Sequence, residues 1–169
     1  MHYLHKILIY IPDFYDKKEI PTRLGVRHYA REATEQFAGD VFDWRETNTA
    51  GRWEEIYPEN VIFAKDDATL FIHELEVCLE QQNSVIDDSL RQIKTELGTN
   101  IDEIVASVGN KNSKAFYLNL LGNILYGVYM IDSCFYDSHK CTARITAKDI
   151  SDIKEDPNDW ALVMFDYHW

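Results

Sequence analysis

The chain is short of the residues that mark specialised scaffolds. Its three cysteines, Cys78, Cys134 and Cys141, form an odd, scattered set without a Cys-x-x-Cys pair, which argues against a disulfide framework. Four prolines and seven glycines in 169 residues leave no Gly-, Pro- or Ser-rich linker, no low-complexity segment and no repeat, so an array of modules is not expected. No stretch approaches the 18 or so continuous apolar residues of a membrane span. The opening MHYLHKILIYIPDFYD alternates, lacks a basic leader and meets Pro12 before any small-residue cleavage site, unlike a secretory signal. A reducing cytoplasm is the expected compartment.

Positive charge is scarce as well. Seventeen Lys and Arg stand against 29 Asp and Glu, for a net charge of −12. No Lys/Arg run is present to contact phosphates, so direct binding of nucleic acid is disfavoured. Residues 61–110 hold ten acids against three bases, more than half of the whole excess, and a patch of one sign speeds encounter with the opposite sign. Catalytic signatures are missing too: there is no phosphate-binding glycine loop, GxSxG, HExxH or calcium loop, and no cofactor is implied.

What is present suffices for one core. Hydrophobic residues make up 46% of the chain and aromatic ones 13%, enough to offset backbone ordering in a single domain spanning 1–169. YLHKILIYI, residues 3–11, is β-branched and aromatic and reads as a strand. Val26, Ala30, Ala33 and Phe37 step by three and four toward Gly39, predicting a helix with Arg23, Arg27 and Arg31 on its outer faces. DVFDW and ENVIFA read as short strands around a loop at RETNTAGR. From Asp67 the stripe Leu75, Leu79, Gln82, Ile86, Leu90, Ile93 and Leu97 predicts a long helix closed by Gly98. At 1.5 Å per residue it is about 45 Å long, with a bend or break expected near Asn83 and Ser84.

Asn100 with Glu103 predicts an N-terminal cap for a short helix ending at Gly109. Ser113 caps a further helix with Phe116, Leu120, Leu121, Ile124 and Val128 on one face. YMIDSCFYDSHKCTARIT suggests two strands joined around Asp137, Ser138 and His139. Thr146 and Asp149 form a capping box for a helix stopped by Pro157, and WALVMFDYHW predicts a last strand covered on both faces. The sum is an α+β fold: a small mixed sheet of about four to six strands packed against a long central amphipathic helix and shorter helices, with the first and last strands as neighbours.

Several residues invite a functional reading. GDVFDWRETNTAGRWEEIYPENVI carries the mirrored pairs Trp44–Arg45 and Arg52–Trp53. Burying one indole removes roughly 200 Å² from water, worth about 5 kcal/mol, against about 0.5–1 kcal/mol for an exposed cation–π contact. Burial is therefore expected for at least one tryptophan. In a strand over DVFDW, Phe42 and Trp44 share the core face, leaving Arg45, Arg52 and Trp53 as a contact surface. His73 and Glu76 stand three apart on the long helix, without the second such pair that a two-helix carboxylate metal site needs. Cys134, His139 and Cys141 fall short of four spaced zinc ligands, and a thiol nucleophile paired with His139 needs an adjacency that spacing does not supply. Asp166 and His168 share a strand face and, with Asp13, His2 and His5, would gather at one sheet edge as the start of a general base.

Small acidic cytoplasmic proteins of bacteria and their phages share this size and charge, and no motif carries a named family's residues onto the chain. The expected function is that of an interaction protein. The helix face bearing Glu74, Glu76, Glu80, Asp87, Asp88 and Glu96, with Arg45, Arg52 and Trp53, covers a basic partner surface, as an inhibitor or immunity-type protein covers a nucleic-acid-binding one. The alternative is a small enzyme or ligand-binding domain with an aromatic pocket lined by Tyr10, Tyr29, Tyr117 and Tyr136 and a polar centre at Asp166 and His168 or Arg45 and Arg52. Burial of Trp53 or Trp169 between copies would make a homo-oligomer.

Overall fold

In the computed structural model, which describes residues 1–16, 20–97, 100–107, 116–130 and 133–169, the two ends of the sequence meet. Strand β1, His2–Tyr10, pairs antiparallel with β5, Trp160–His168, from His2 opposite His168 to Tyr10 opposite Trp160. Side chains alternate across this ladder. Ile7, Ile9, Val163, Phe165 and Tyr167 enter one core, while Leu8, Leu162 and Met164 enter another on the opposite face. A ladder buried on both faces demands cover on both.

The far edge of β5 is shared by two short strands, β2 (Trp44–Glu46) and β3 (Val61–Phe63). Between them the polar groups of Met164 would be orphaned in the core. Asn60 fills the gap: its carbonyl accepts the Met164 N–H at 2.9 Å and its side-chain amide donates to the Met164 carbonyl at 3.0 Å. It does so with a left-handed φ of 41°, a conformation asparagine tolerates better than most residues. On the other side β4, Phe135–Asp137, runs parallel to β1. The hairpin expected over 129–146 is thus corrected to one three-residue strand and a single antiparallel bridge, Asp137 to Thr142, among the described residues.

Helix α1, Arg23–Val41, covers the first core with Val26, Ala30 and Thr34, and the Thr22 hydroxyl caps it by accepting from Gly25 N–H at 3.1 Å. Its last turns run past Gly39 and consume Val41, so the strand expected over DVFDW begins only at Trp44. That shift separates two residues assigned to one face. Phe42, extended at the helix end, is 7% exposed in the core, whereas Trp44, at the sheet corner opposite His168, is 47% exposed. The tryptophan of this segment that packs into core is Trp53.

The second core is covered by α2, Ala68–Leu97, and α5, Ala147–Glu155, through Phe71, Leu75, Cys78, Ile150 and Ile153. The capping box on α5 forms as expected: the Thr146 hydroxyl accepts from Asp149 N–H, and the Asp149 carboxylate accepts from Thr146 N–H at 2.7 Å. A short α3, Ile101–Ser107, follows, with the Asn100 side chain accepting from Asp102 N–H at 3.0 Å. Helix α4, Phe116–Tyr126, then packs along α2. The expected stops at Gly98 and Gly109 and the cap at Ser113 lie outside the described residues.

Helix α2 runs unbroken through Asn83 and Ser84. Its buried face is rotated by about one residue from the apolar stripe: Cys78 rather than Leu79 and Ser89 rather than Leu90 turn inward, with Ser89 1% and Leu90 50% exposed. Gln82 holds that register. Its side chain donates to the Ala143 carbonyl at 3.1 Å and accepts from Ile145 N–H at 3.4 Å, tying the helix to the segment before α5.

One charged pair lies inside this layer. Lys6 points from β1 at Glu74 of α2, with Nζ 2.7 Å from Oε2 and both side chains 7% exposed. The Tyr57 hydroxyl donates to the other carboxylate oxygen at 2.8 Å, and burial, then Glu74, pushes the Tyr57 phenol well above its ordinary range. Removing one member leaves a buried charge uncompensated. Glu74→Gln is therefore expected to cost about 3–5 kcal/mol in denaturant unfolding. Lys6→Met combined with Glu74→Gln should recover most of the loss, and a single variant costing less than about 1 kcal/mol would show that water screens the pair.

Candidate functional site

The six carboxylates assigned to one helix face do not share it. Glu74 belongs to the interior and is neutralised by Lys6, which removes it from any surface. Glu76 pairs with Lys154 of α5 at 2.9 Å, and Asp87 pairs with Arg91 one turn on at 2.7 Å. Glu80, Asp88 and Glu96 are exposed and carry no ion pair among the described residues. At 100° per residue, Glu76, Glu80 and Asp87 fall on one stripe opposite Phe71, Leu75, Cys78 and Ser89, while Asp88 lies on its flank and Glu96 turns away.

The Trp/Arg segment is divided in the same way. Arg45 in β2 pairs with Glu35 of α1, and Arg52 is exposed in a 3₁₀ turn, Gly51–Trp53, whose Trp53 is half-buried on the second core. The Arg52 backbone N–H donates to Asp166 at 3.1 Å.

The Asp/His grouping at the terminal strands is divided: His2, Asp166, His168 and Asp43 meet at one sheet corner, where the His2 and His168 rings lie 4.8 Å apart, whereas Asp13 and His5 lie elsewhere. Asp166, 1% exposed, lies 2.8 Å from His2 Nδ1. His168 instead pairs with Asp43 at 2.7 Å, and that hydrogen bond holds the Asp43 carboxyl below its ordinary range. Asp13 follows the far end of β1 and meets His139 at 2.8 Å. His5 points to the opposite face of the sheet, against the Tyr129 hydroxyl, because strand neighbours alternate. Asp166 therefore orients His2 rather than His168, and Asp13 and His5 take no part in the grouping.

Cys141 is exposed, with Sγ against the Ser138 carbonyl at 3.6 Å, and Cys134 is half-buried. No trio of His, Cys, Asp or Glu among the described residues converges to hold a metal. The remaining thiol, Cys78, is pushed up to about 12 by burial, which makes it a packing group rather than a nucleophile. The four tyrosines also fail to line a common pocket. Tyr136 is core, Tyr29 stacks on Phe14, Tyr10 lies against Trp160, and Tyr117 lies against Phe116.

One grouping lies outside the expected sites. A cavity of about 430 Å³ opens beside the first two turns of α1, lined by Thr22, Arg27, His28 and Arg31 and closed by Thr47 and Asn48 after β2. The arginine spacing of four was visible in the sequence as a like-charged helix face. Invisible was that Glu35, placed four residues beyond Arg31 to pair with it, turns to Arg45 instead.

The Asp166 cluster makes a structural prediction. Gly51 has a φ of +55°, and a Cβ there would fall 2.3 Å from Asp166 Oδ2. Gly51→Ala should cost at least about 1–2 kcal/mol from the left-handed backbone alone. Asp166→Ala should cost about 1–3 kcal/mol by orphaning the Arg52 N–H. The double variant, measured by urea unfolding, should fall short of the sum, because the same contact is lost in both.

No protein-family model, no curated protein and no solved structure matches the chain.

Proposed function

We propose that this is a non-enzymatic interaction protein that docks on a basic protein surface through the water-facing side of α2, in the manner of an inhibitor or immunity-type protein. The observation that carries the reading is the placement of Glu76, Glu80 and Asp87 along one stripe of an unbroken 30-residue helix, with Leu90 half exposed at its side. An apolar anchor within a polar rim is the usual anatomy of a protein interface. The pairs Glu76–Lys154 and Asp87–Arg91 are exposed on both sides. Pairs so open to solvent add little stability, so a partner's arginine can displace the internal lysine or arginine at little cost. With net charge −12, the chain as a whole also attracts a basic partner. Glu74 takes no part, being the counter-ion of Lys6.

The test is capture of a partner from the native host's lysate by wild type and by the variant Glu80→Lys/Asp87→Lys/Asp88→Lys, at low and high salt. A basic protein held by wild type, lost from the variant and weakened at least tenfold between 0.1 and 1 M salt is expected. Screening over that range shortens from about 10 Å to about 3 Å. A partner indifferent to both salt and charge reversal overturns the reading.

A further inference from the structure

We propose that the cavity beside α1 is a binding site for a small organic phosphate monoester, held between Arg27 and Arg31. This site lies on the face of the sheet opposite α2 and does not depend on the docking surface proposed there. Arg27 has no hydrogen-bond or carboxylate partner among the described residues, and its Nε is shut off from solvent with its donor unused. An arginine left without a carboxylate on a cavity wall keeps its charge-assisted donors for an anion from solvent. Arg31 has no carboxylate either. Among the described residues its guanidinium reaches His28 Nδ1 alone, at 2.9 Å. Because a guanidinium can only donate, His28 Nδ1 is the acceptor and its Nε2–H faces Glu32 at 3.2 Å. His28 thus sets the orientation of Arg31 without neutralising it.

Two like charges four residues apart on a helix repel, and a bound dianion reverses that term. The nearby carboxylates are occupied elsewhere. Glu35 is on Arg45, Glu46 accepts the Asn48 N–H at 2.6 Å, and Glu59 lies 3.8 Å from Arg23. A phosphate monoester carries about −1.5 to −2 charges near neutral pH, which matches two guanidiniums, whereas a carboxylate supplies one. Thr47 and Asn48 also line the cavity, and both residue types carry neutral donors. At about 30 Å³ per water, the volume of about 430 Å³ is far more than an inorganic phosphate needs and lies within the range of organic-ligand pockets.

The probes are phenyl phosphate, inorganic phosphate and benzoate, titrated into the full chain and followed by the ¹⁵Nε–¹Hε signals of the arginines and by calorimetry. Phenyl phosphate is expected to shift the Arg27 signal and to bind at least tenfold more tightly than either other probe. Arg31→Gln, an exposed substitution that leaves the core untouched, should weaken it at least tenfold, as should Arg27→Gln. Arg52→Gln, on a different surface, should change nothing. Silence of the Arg27 signal at millimolar phenyl phosphate overturns the proposal. So does equal affinity for inorganic phosphate, or binding unaffected by Arg31→Gln in a variant whose spectrum shows it folded.

Discussion

The antiparallel ladder between β1 and β5 joins residues separated by most of the chain. Closing a loop of roughly 150 residues costs about 3 kcal/mol more than closing one of five. Each Leu, Met or Phe fully buried returns about 1.5–3 kcal/mol, so the run from Leu162 to Phe165, all at 0% exposure, covers that cost with two of its members. The same burial dictates the layers. Since odd and even residues of both strands are apolar, neither face tolerates water, and α1 on one side and α2 with α5 on the other are the consequence. Sheet edges then need only short strands, because β2 and β3 divide one side of β5 and Asn60 satisfies the residue between them.

Polar residues inside such a sheet are admissible only with partners in place. Lys6, Asp137 and Asp166 each found theirs among the described residues. Lys6 takes Glu74 and Asp166 takes the Arg52 N–H and His2. Asp137, where burial pushes the carboxyl above its ordinary range and Lys140 and the loop amides hold it back, closes the turn after β4 by accepting from His139 and Lys140 N–H groups. Several acids singled out in the sequence thus serve to tie the doubly covered sheet together.

What could be read from the chain follows from this. Periodicities of two and 3.6 are local, so β1, β5, α1, α2 and the capping box at Thr146 were legible, as was cover on both faces of the last strand from its continuous apolar centre; strand order is not a local property. Three features were not, each because a distant residue decided it. The face of α2 is set by Gln82 reaching the Ala143–Ile145 segment, which turns Ser89 inward at the expense of Leu90. Glu74 looks like any surface acid until Lys6 arrives from β1. A strand over DVFDW would put Trp44 in the core, but α1 extends through Val41 and leaves the indole at a sheet corner. The arginine cavity was hidden for a related reason: Arg31 loses its helical counter-ion to Arg45, a residue of β2.

These rearrangements sort charge by face. On the α1 side, acids are drawn off by Arg45, His28 and Arg23, so Arg27 and Arg31 have no carboxylate partner among the described residues in a chain of net charge −12. On the α2 side, Lys6 is withdrawn into the interior, and the outer stripe carries its carboxylates with Lys154, Arg91 and Lys94 against them. Helix axes on opposite sides of a sheet lie roughly 20 Å apart, given a helix about 10 Å across and layers packed about 10 Å apart. Solvent at physiological ionic strength screens charge over about 8 Å, less than half that separation. An anion seated beside α1 therefore contributes little to the field felt by a cationic partner at α2, and any coupling between the two surfaces has to travel through the packing of β1 and β5 instead.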